Sequence, residues 1–207
     1  LKSASEIISE TDDKDKREKL VKILSQDVER IERLITDYSQ MLKDEVALST
    51  EKMNQVDLKS VVHSVVDDFN NIYMTKRGIK IELNIEDSLK EFKILGIENR
   101  IEQILANLLD NSISFSEDNQ TITVEIQKDQ KSQIILKVID QGQGFKEKKL
   151  NKIFDRFYSN RPDRFGEHSG LGLNIVKNLV ELHGGTISAS NNISQNGARI
   201  EVTFPKV

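Results

Sequence analysis

"NLLDNSISFS", residues 107–116, sets two carboxamides four residues apart inside a run of leucine and isoleucine. An α-helix advances about 100° per residue, so Asn107 and Asn111 stand one above the other on a single face. Arg100, Gln103 and Ser114 extend that polar stripe, while Ile97, Ile101, Leu105, Leu108 and Leu109 fall on the opposite side. The pattern predicts a helix over 96–115 with a broad apolar side for a core and a narrow polar stripe. Structural asparagines are more often capped or solvated. A stacked pair also presents carbonyl oxygens, hard ligands suited to Mg²⁺ beside phosphate groups.

Two glycine clusters lie downstream. None of the ten glycines precedes Gly78, and seven fall between Gly142 and Gly185. The first cluster, "DQGQG" (140–144), follows a strand-like run directly. Glycines there let the backbone approach a ligand closely, and the strand end fixes the Asp140 carboxylate beside that space. A tight turn is the plain alternative. Glu147 stands where a dinucleotide-binding fingerprint needs its third glycine, and no Gly-Lys-Ser/Thr of a P-loop occurs. The second cluster, "SGLGL" (169–173), opens a helix predicted over 171–183, whose free N–H groups make a seat for phosphate. Between the clusters runs an aromatic-studded loop with Arg156, Arg161 and Arg164. It is either an ordinary surface loop or a flap over a ligand.

The rest of the chain frames these signals. The first fifty residues hold neither Gly nor Pro. Val21, Leu24, Val28, Ile31, Ile35, Tyr38 and Leu42 recur at alternating spacings of 3 and 4, a heptad seam. Residues 1–8 read as the end of another helix and 9–16 as a polar connection, so 1–50 form a helical hairpin. The hairpin either packs within one molecule or dimerises into a four-helix bundle; its small apolar seam favours the dimer. From Val56, Asp57 is the expected N-cap of a helix ending near Gly78. "IKIELNI" (79–85) alternates as a half-buried strand, further strands are expected at 121–126 and 133–139, and a hairpin around Asn196-Gly197 closes the chain. Asn174, Lys177, Asn178 and Glu181 mark a polar side of the 171–183 helix. Residues 56–207 are thus an α+β sandwich with helices on one face of a sheet of antiparallel strands.

Composition narrows the classes. The 207 residues are 37% apolar with net charge −4 and no cysteine, which removes disulfides and thiolate metal sites. No basic block stands out, which argues against nucleic acid. No apolar run approaches the ~18 residues of a membrane span. A cytoplasmic setting is the expectation. The opening "LKSASEII", without an initiator methionine, reads as mid-helix and the chain as a fragment.

The run Asn107…Asn111, Asp140-x-Gly142-x-Gly144, Phe154…Phe157 and Gly170-Leu171-Gly172 resembles the N, G1, F and G2 boxes of sensor histidine kinases. Within them, "SISFS" and "FYSNRPDRFGEHSGLGL" look like the ChvG type. The resemblance spans 56–207, and the hairpin before it looks like the family's dimerisation and phosphotransfer bundle. It implies a Bergerat-type ATP-binding domain using ATP and Mg²⁺, with the γ-phosphoryl group passed to a histidine and then to a response-regulator aspartate. By this resemblance Asn111 coordinates Mg²⁺ and Asn107 orients the site, while Asp140 accepts from the adenine amino group beside Gly142 and Gly144. Phe154 and Phe157 anchor a lid. Ser169, Gly170, Leu171 and Gly172 close it over the phosphates. A homodimer, a receiver-domain partner and an inner-membrane sensor with membrane segments outside this fragment are also implied.

Two departures stand out. Ser114-Phe115 replaces the Lys-Tyr that many such kinases have after the second Asn, so a lid arginine such as Arg161 is expected to meet phosphate instead. The family's acceptor motif, His-Glu-x-x-Asn-Pro-Leu in outline, is absent; it is expected within about three helical turns upstream of Leu1. His63 sits in a surface or structural context, His168 in the lid, and His183 at a helix end before Gly-Gly; none has the acceptor's surroundings. Two other readings share the ATP site: an anti-sigma-type serine kinase, which lacks the heptad hairpin, and an ATP-sensing dimerisation module without chemistry, disfavoured by the intact Asn, Asp and Gly set.

Overall fold

A 35-residue helix, α1 (Lys14–Leu48), opens the described part of the chain. The structure, a computed structural model, describes residues 13–48, 51–86, 92–147, 149–158, 170–192 and 196–205. Asp13 starts α1: its Oδ1 accepts from the backbone N–H of Asp15 at 3.0 Å and Lys16 at 3.3 Å. This corrects the polar connection read through residue 16, because a carboxylate at the helix N-terminus caps orphan donors instead of interrupting the helix. The other arm of the hairpin, residues 1–8, lies outside the described residues, as does the side chain of Leu42. Along α1 the seam faces solvent: Val21, Val28, Ile31, Ile35 and Tyr38 are exposed, Ile35 to 61%. α1 belongs to one compact unit, and the elements from β1 onward form a second.

The second unit begins with a short ribbon. Strands β1 (Asn54–Asp57) and β3 (Lys93–Gly96) pair antiparallel, with buried Val56 opposite buried Ile94. Between them run α2 (Leu58–Arg77) and β2 (Lys80–Ile85). As expected, Asp57 caps α2, accepting from Lys59 N at 3.3 Å and from Ser60 Oγ at 2.6 Å. Gly78 ends it in the left-handed region at φ +65°, where a Cβ would overlap the Asn119 carboxamide. There follow α3 (Glu98–Phe115), β4 (Thr121–Lys128), β5 (Ile134–Ile139), a 3₁₀ turn (Leu150–Phe154), α4 (Gly172–Leu182), β6 (Thr186–Asn192) and β7 (Gly197–Phe204).

The five-stranded sheet runs β2-β4-β5-β7-β6. All pairs are antiparallel except β2 with β4, which are parallel with Ile81 opposite Ile122. This corrects the all-antiparallel reading. The chain leaves β2, forms β3 and α3, and re-enters beside β2 in the same direction, as a crossover requires. Alternate residues of the inner strands, including Val124, Val138, Ile200 and Val202, are buried. α2, α3 and α4 cover that face, and the apolar side of α3 (Ile101, Leu105, Leu108, Leu109) is buried as read from the sequence. The opposite face is charged, with Lys137 Nζ 4.0 Å from Glu125 Oε2 and 3.9 Å from Glu201 Oε2. Two side chains lock the layers. Asn70 exchanges hydrogen bonds with the backbone of Ile81 at 2.8 and 2.9 Å. Arg77 reaches Ile113 O, Ser116 O and Asp118 Oδ1, each at 2.8 Å, holding the end of α2 against the end of α3.

His183 is a buried joint at the C-terminus of α4. Its Nδ1 donates to Leu179 O at 2.6 Å, and its Nε2 accepts from Ile97 N at 3.1 Å, so the ring is neutral. Burial depresses its pKa below 6.5, offset in part by the Leu179 bond. A folded-state pKa below the unfolded one means that the unfolded chain takes up the proton first. The joint's contribution is therefore complete above pH 6.5 and lost as pH falls through the folded value. Urea midpoints should drop between pH 7.5 and 5.5 more for the wild type than for His183→Gln; parallel curves would remove this assignment.

Candidate functional site

Asp140 follows β5 directly and continues its pairing with β7: Asp140 N donates to Ala198 O at 3.0 Å, and Ala198 N returns a 3.0 Å bond to the side-chain Oδ1. Gly142 N also donates to Oδ1, at 2.9 Å. The carboxylate is 5% exposed. Burial raises its pKa, while the N–H groups of Ala198 and Gly142 pull it back. Oδ1 is thus consumed by the fold, and no hydrogen bond to Oδ2 appears among the described residues. A buried carboxylate with one oxygen left over is an acceptor waiting for a donor.

The loop after Asp140 is seated on α3. A Cβ at Gly142 would stand 2.5 Å from Phe115 O, so only glycine lets the loop lie on the last turn of α3. Gln141 Oε1 accepts from Thr121 N at 3.0 Å, and Gly144 adopts φ +70° beside Asn191. Gly197, read from the sequence only as a turn residue, is required here too, since its Cβ would overlap Asp140 O.

The carboxamide stripe meets α4. Asn107 Nδ2 donates to Gln103 O at 3.0 Å, and Asn107 Oδ1 lies 3.5 Å from where a Gly172 Cβ would stand. The first residue of α4 therefore faces the stripe across ordinary contact distance, and any side chain would fill the gap. Asn111 is half-buried one turn farther along. Below the pair, Arg100 donates to Gln103 Oε1 at 3.1 Å and Glu51 Oε1 at 3.2 Å. Ser114 turns its hydroxyl onto its own helix, donating to Asp110 O at 2.6 Å. Leu171, the N-cap of α4, is fully buried and has no side-chain oxygen for the first-turn N–H groups.

The 3₁₀ turn buries Phe154, whose carbonyl accepts from Asn174 Nδ2 at 2.9 Å. Asn174 lies on the side of α4 shared with Asn178, whose Nδ2 donates to Asn174 Oδ1 at 3.5 Å, but it is buried, and its own amide serves the aromatic turn. Phe157 is 57% exposed at φ +63°, an uncommon conformation for an aromatic residue. Gly170, at φ +70°, would place a Cβ 2.8 Å from Phe157 C and Tyr158 O, so residues 157–158 and 170 touch. Arg161, Arg164, His168 and Ser169 lie outside the described residues. His63 is exposed on α2.

The arrangement fits a nucleotide with a divalent ion. Asn107 presents a neutral carbonyl oxygen to the start of α4, Asn111 a carboxamide one turn farther along α3, and the buried Asp140 carboxylate opens the loop whose Gly142 is seated on the last turn of α3. Among the described residues no three His, Cys, Asp or Glu side chains gather, so an ion at Asn111 would draw its remaining ligands from phosphate and water, as Mg²⁺ commonly does.

Comparison with known proteins gives a consistent answer. Residues 96–207 match the family described as histidine kinase-, DNA gyrase B-, and HSP90-like ATPase. The sensor protein ChvG of Agrobacterium fabrum is 32% identical over 215 residues, covering 99% of this chain and 36% of ChvG. The histidine-protein kinase BaeS of Escherichia coli is 30% identical, covering 88% and 38%. The chain spans about a third of the length of these relatives. Among solved structures, the mycobacterial sensor histidine kinase MprB superposes with TM-score 0.63 at 24% identity, covering 74% of this chain and 97% of that one. Full-length ShkA, in complex with AMPPNP, gives 0.67 at 23% identity, covering 91% and 37%. These structural similarities establish the fold, a helical segment followed by a Bergerat-type ATPase domain. With more than half of its length matched, the chain belongs to the histidine kinase-, DNA gyrase B- and HSP90-like ATPase family, on its sensor histidine kinase branch.

Proposed function

We propose that this chain is the kinase core of a two-component sensor, which binds ATP with Mg²⁺ and passes the γ-phosphoryl group to a histidine on a helix upstream of Leu1. The observation that carries the proposal is Asp140, a buried carboxylate with one oxygen tied to Ala198 and Gly142 and the other left to accept. An adenine amino group is a donor of the right kind. Gly142 and Gly144 shape the wall beside it. Asn107, facing Gly172, and Asn111 one turn along receive the phosphate end, and the N–H groups opening α4 offer their partial positive charge to it. Asn111 would hold Mg²⁺, which neutralises phosphate charge when bound. Phe154 seats the base of the lid, with Phe157, Gly170 and Leu171 flanking its two ends; Arg161 and Ser169 complete it in this proposal. The AMPPNP complex of ShkA, similar in fold, supports the same class of ligand.

The partners follow from the same reading. The exposed heptad seam of α1 calls for an apolar cover, and we assign it a second copy of the chain. Residues 1–50 are the dimerisation and phosphotransfer hairpin, and 56–207 the catalytic domain. A response-regulator receiver domain takes the phosphoryl group. No described helix is long and apolar enough to cross a membrane; we place this core on the cytoplasmic side, anchored through segments outside it.

One sample tests both halves. Calorimetry should show Mg·ADP binding by the wild type and at least ~10-fold weaker binding by Asp140→Asn, about 1.4 kcal/mol. Asparagine keeps an oxygen for Gly142 and Ala198 but presents N–H₂ where Oδ2 stood, so the loop survives and the acceptor does not. Unchanged affinity would remove Asp140 from the base site. Light scattering of the same protein should report a dimer, and a monomer at high concentration would refute the seam assignment.

A further inference from the structure

Asn191 lies on β6, at the edge of the sheet, opposite Ala198 of β7. Its side chain leaves the strand and grips the backbone of Phe145, 46 residues earlier: Oδ1 accepts from Phe145 N at 2.7 Å, and Nδ2 donates to Phe145 O at 2.9 Å. A carboxamide presents an acceptor and a donor in one plane, as a peptide group does, so Asn191 stands in for the strand partner that residue 145 lacks. The same Oδ1 would lie 2.9 Å from a Cβ on Gly144, which sits at φ +70°.

These contacts complete a series. Asp140 is tied to Ala198, Gln141 to Thr121, Gly142 to Asp140 Oδ1, and Phe145 to Asn191. At the far end of the loop, the Asn191 bonds are the hold that the described hydrogen bonds provide. Asn191 itself is exposed, and its bonds add little to the buried core.

We propose that Asn191 is a positioning residue of the nucleotide site: it fixes Gly144 and Phe145 so that the wall beside Asp140 keeps its place without a ligand. The proposal rests on the nucleotide reading above. It does not require Asn191 to touch the nucleotide. Losing two exposed hydrogen bonds should weaken Mg·ADP binding roughly 3- to 10-fold in Asn191→Ala, through lost preorganisation. Melting should change little.

Asn191→Asp provides the sharper readout. The ionised carboxylate keeps the bond from Phe145 N–H but sets an acceptor against Phe145 O, whereas the protonated carboxyl restores a donor. Mg·ADP affinity of Asn191→Asp, divided by that of the wild type at the same pH, should rise as pH falls from about 7 to about 4.5. A residue needed only for folding would show no such recovery. Amide exchange at Phe145 should quicken in Asn191→Ala. If that variant is unstable, the pH series on the aspartate variant decides alone. Wild-type binding of Mg·ADP with unchanged affinity in both variants would overturn the positioning role and leave the nucleotide reading standing. A wild type that does not bind Mg·ADP would overturn both.

Discussion

Asn111→Ala is expected to weaken Mg·ATP binding at least ~10-fold, about 1.4 kcal/mol, and to weaken phosphoryl transfer further. Asn111 stands one helical turn from Asn107, half-buried on the polar stripe of α3. The substitution leaves the apolar side of α3 untouched, and the melting temperature should change by only a few degrees. What the proposed site loses is one neutral oxygen assigned to its phosphate end. A metal ligand also has a signature that a packing residue lacks. With Mg²⁺ chelated, wild type and variant should bind ATP with nearly the same affinity, because the ion through which Asn111 acts is gone. A penalty that persists undiminished in chelator would reassign Asn111 from metal holding to direct phosphate contact or to structure.

The 207-residue chain should bind ATP yet acquire almost no stable label from γ-labelled nucleotide, an all-or-none effect and the largest expected here. The reason is where the histidines lie. His63 is exposed on α2; His183 is buried and neutral with both ring nitrogens engaged; His168 lies outside the described residues. None lies on the heptad helix that a phosphotransfer bundle would use. Adding an upstream helix with the His-Glu-x-x-Asn-Pro-Leu pattern should yield an acid-labile, base-stable phosphoryl group, as expected of a phosphoramidate. The chain should also label that helix when it is supplied on a second subunit. Labelling of His63, His168 or His183 in the isolated chain would show that the acceptor is misplaced. An acid-stable label on an upstream serine would move the protein to the serine-kinase class.

Several features were legible because their physics is local. Asp57 and Gly78 bound α2 because a carboxylate accepts from the next turn's N–H groups and glycine tolerates positive φ. The stripe on α3 was readable from spacing alone, since helical geometry stacks positions 107 and 111 whatever else the chain does. The apolar seam of α1 was visible for the same reason, although Asp13 shows that a charged run can open a helix as well as interrupt one. The Asp140 loop was located by its glycines, and the resemblance to sensor kinases supplied roles that spacing could not.

Other features needed the folded chain. Strands β1 and β3 have four residues each, too few to show a period, and they exist because Val56 and Ile94 are buried opposite one another. The parallel pairing of β2 with β4 depends on the path through β3 and α3, which no local pattern encodes. Asn174 carries a surface-type residue name but serves Phe154 O from a buried position. The grip of Asn191 on Phe145 joins residues 46 apart, and Gly197 is required because Asp140 O, from another strand, occupies the space of its Cβ. By itself the sequence determined the helix faces, the caps and the residue types able to meet a nucleotide, because each depends on neighbours within a turn or a strand. Only the tertiary structure decided which backbone carbonyl each glycine must clear and which polar side chain holds which loop, because those constraints arise when distant segments are packed within contact distance.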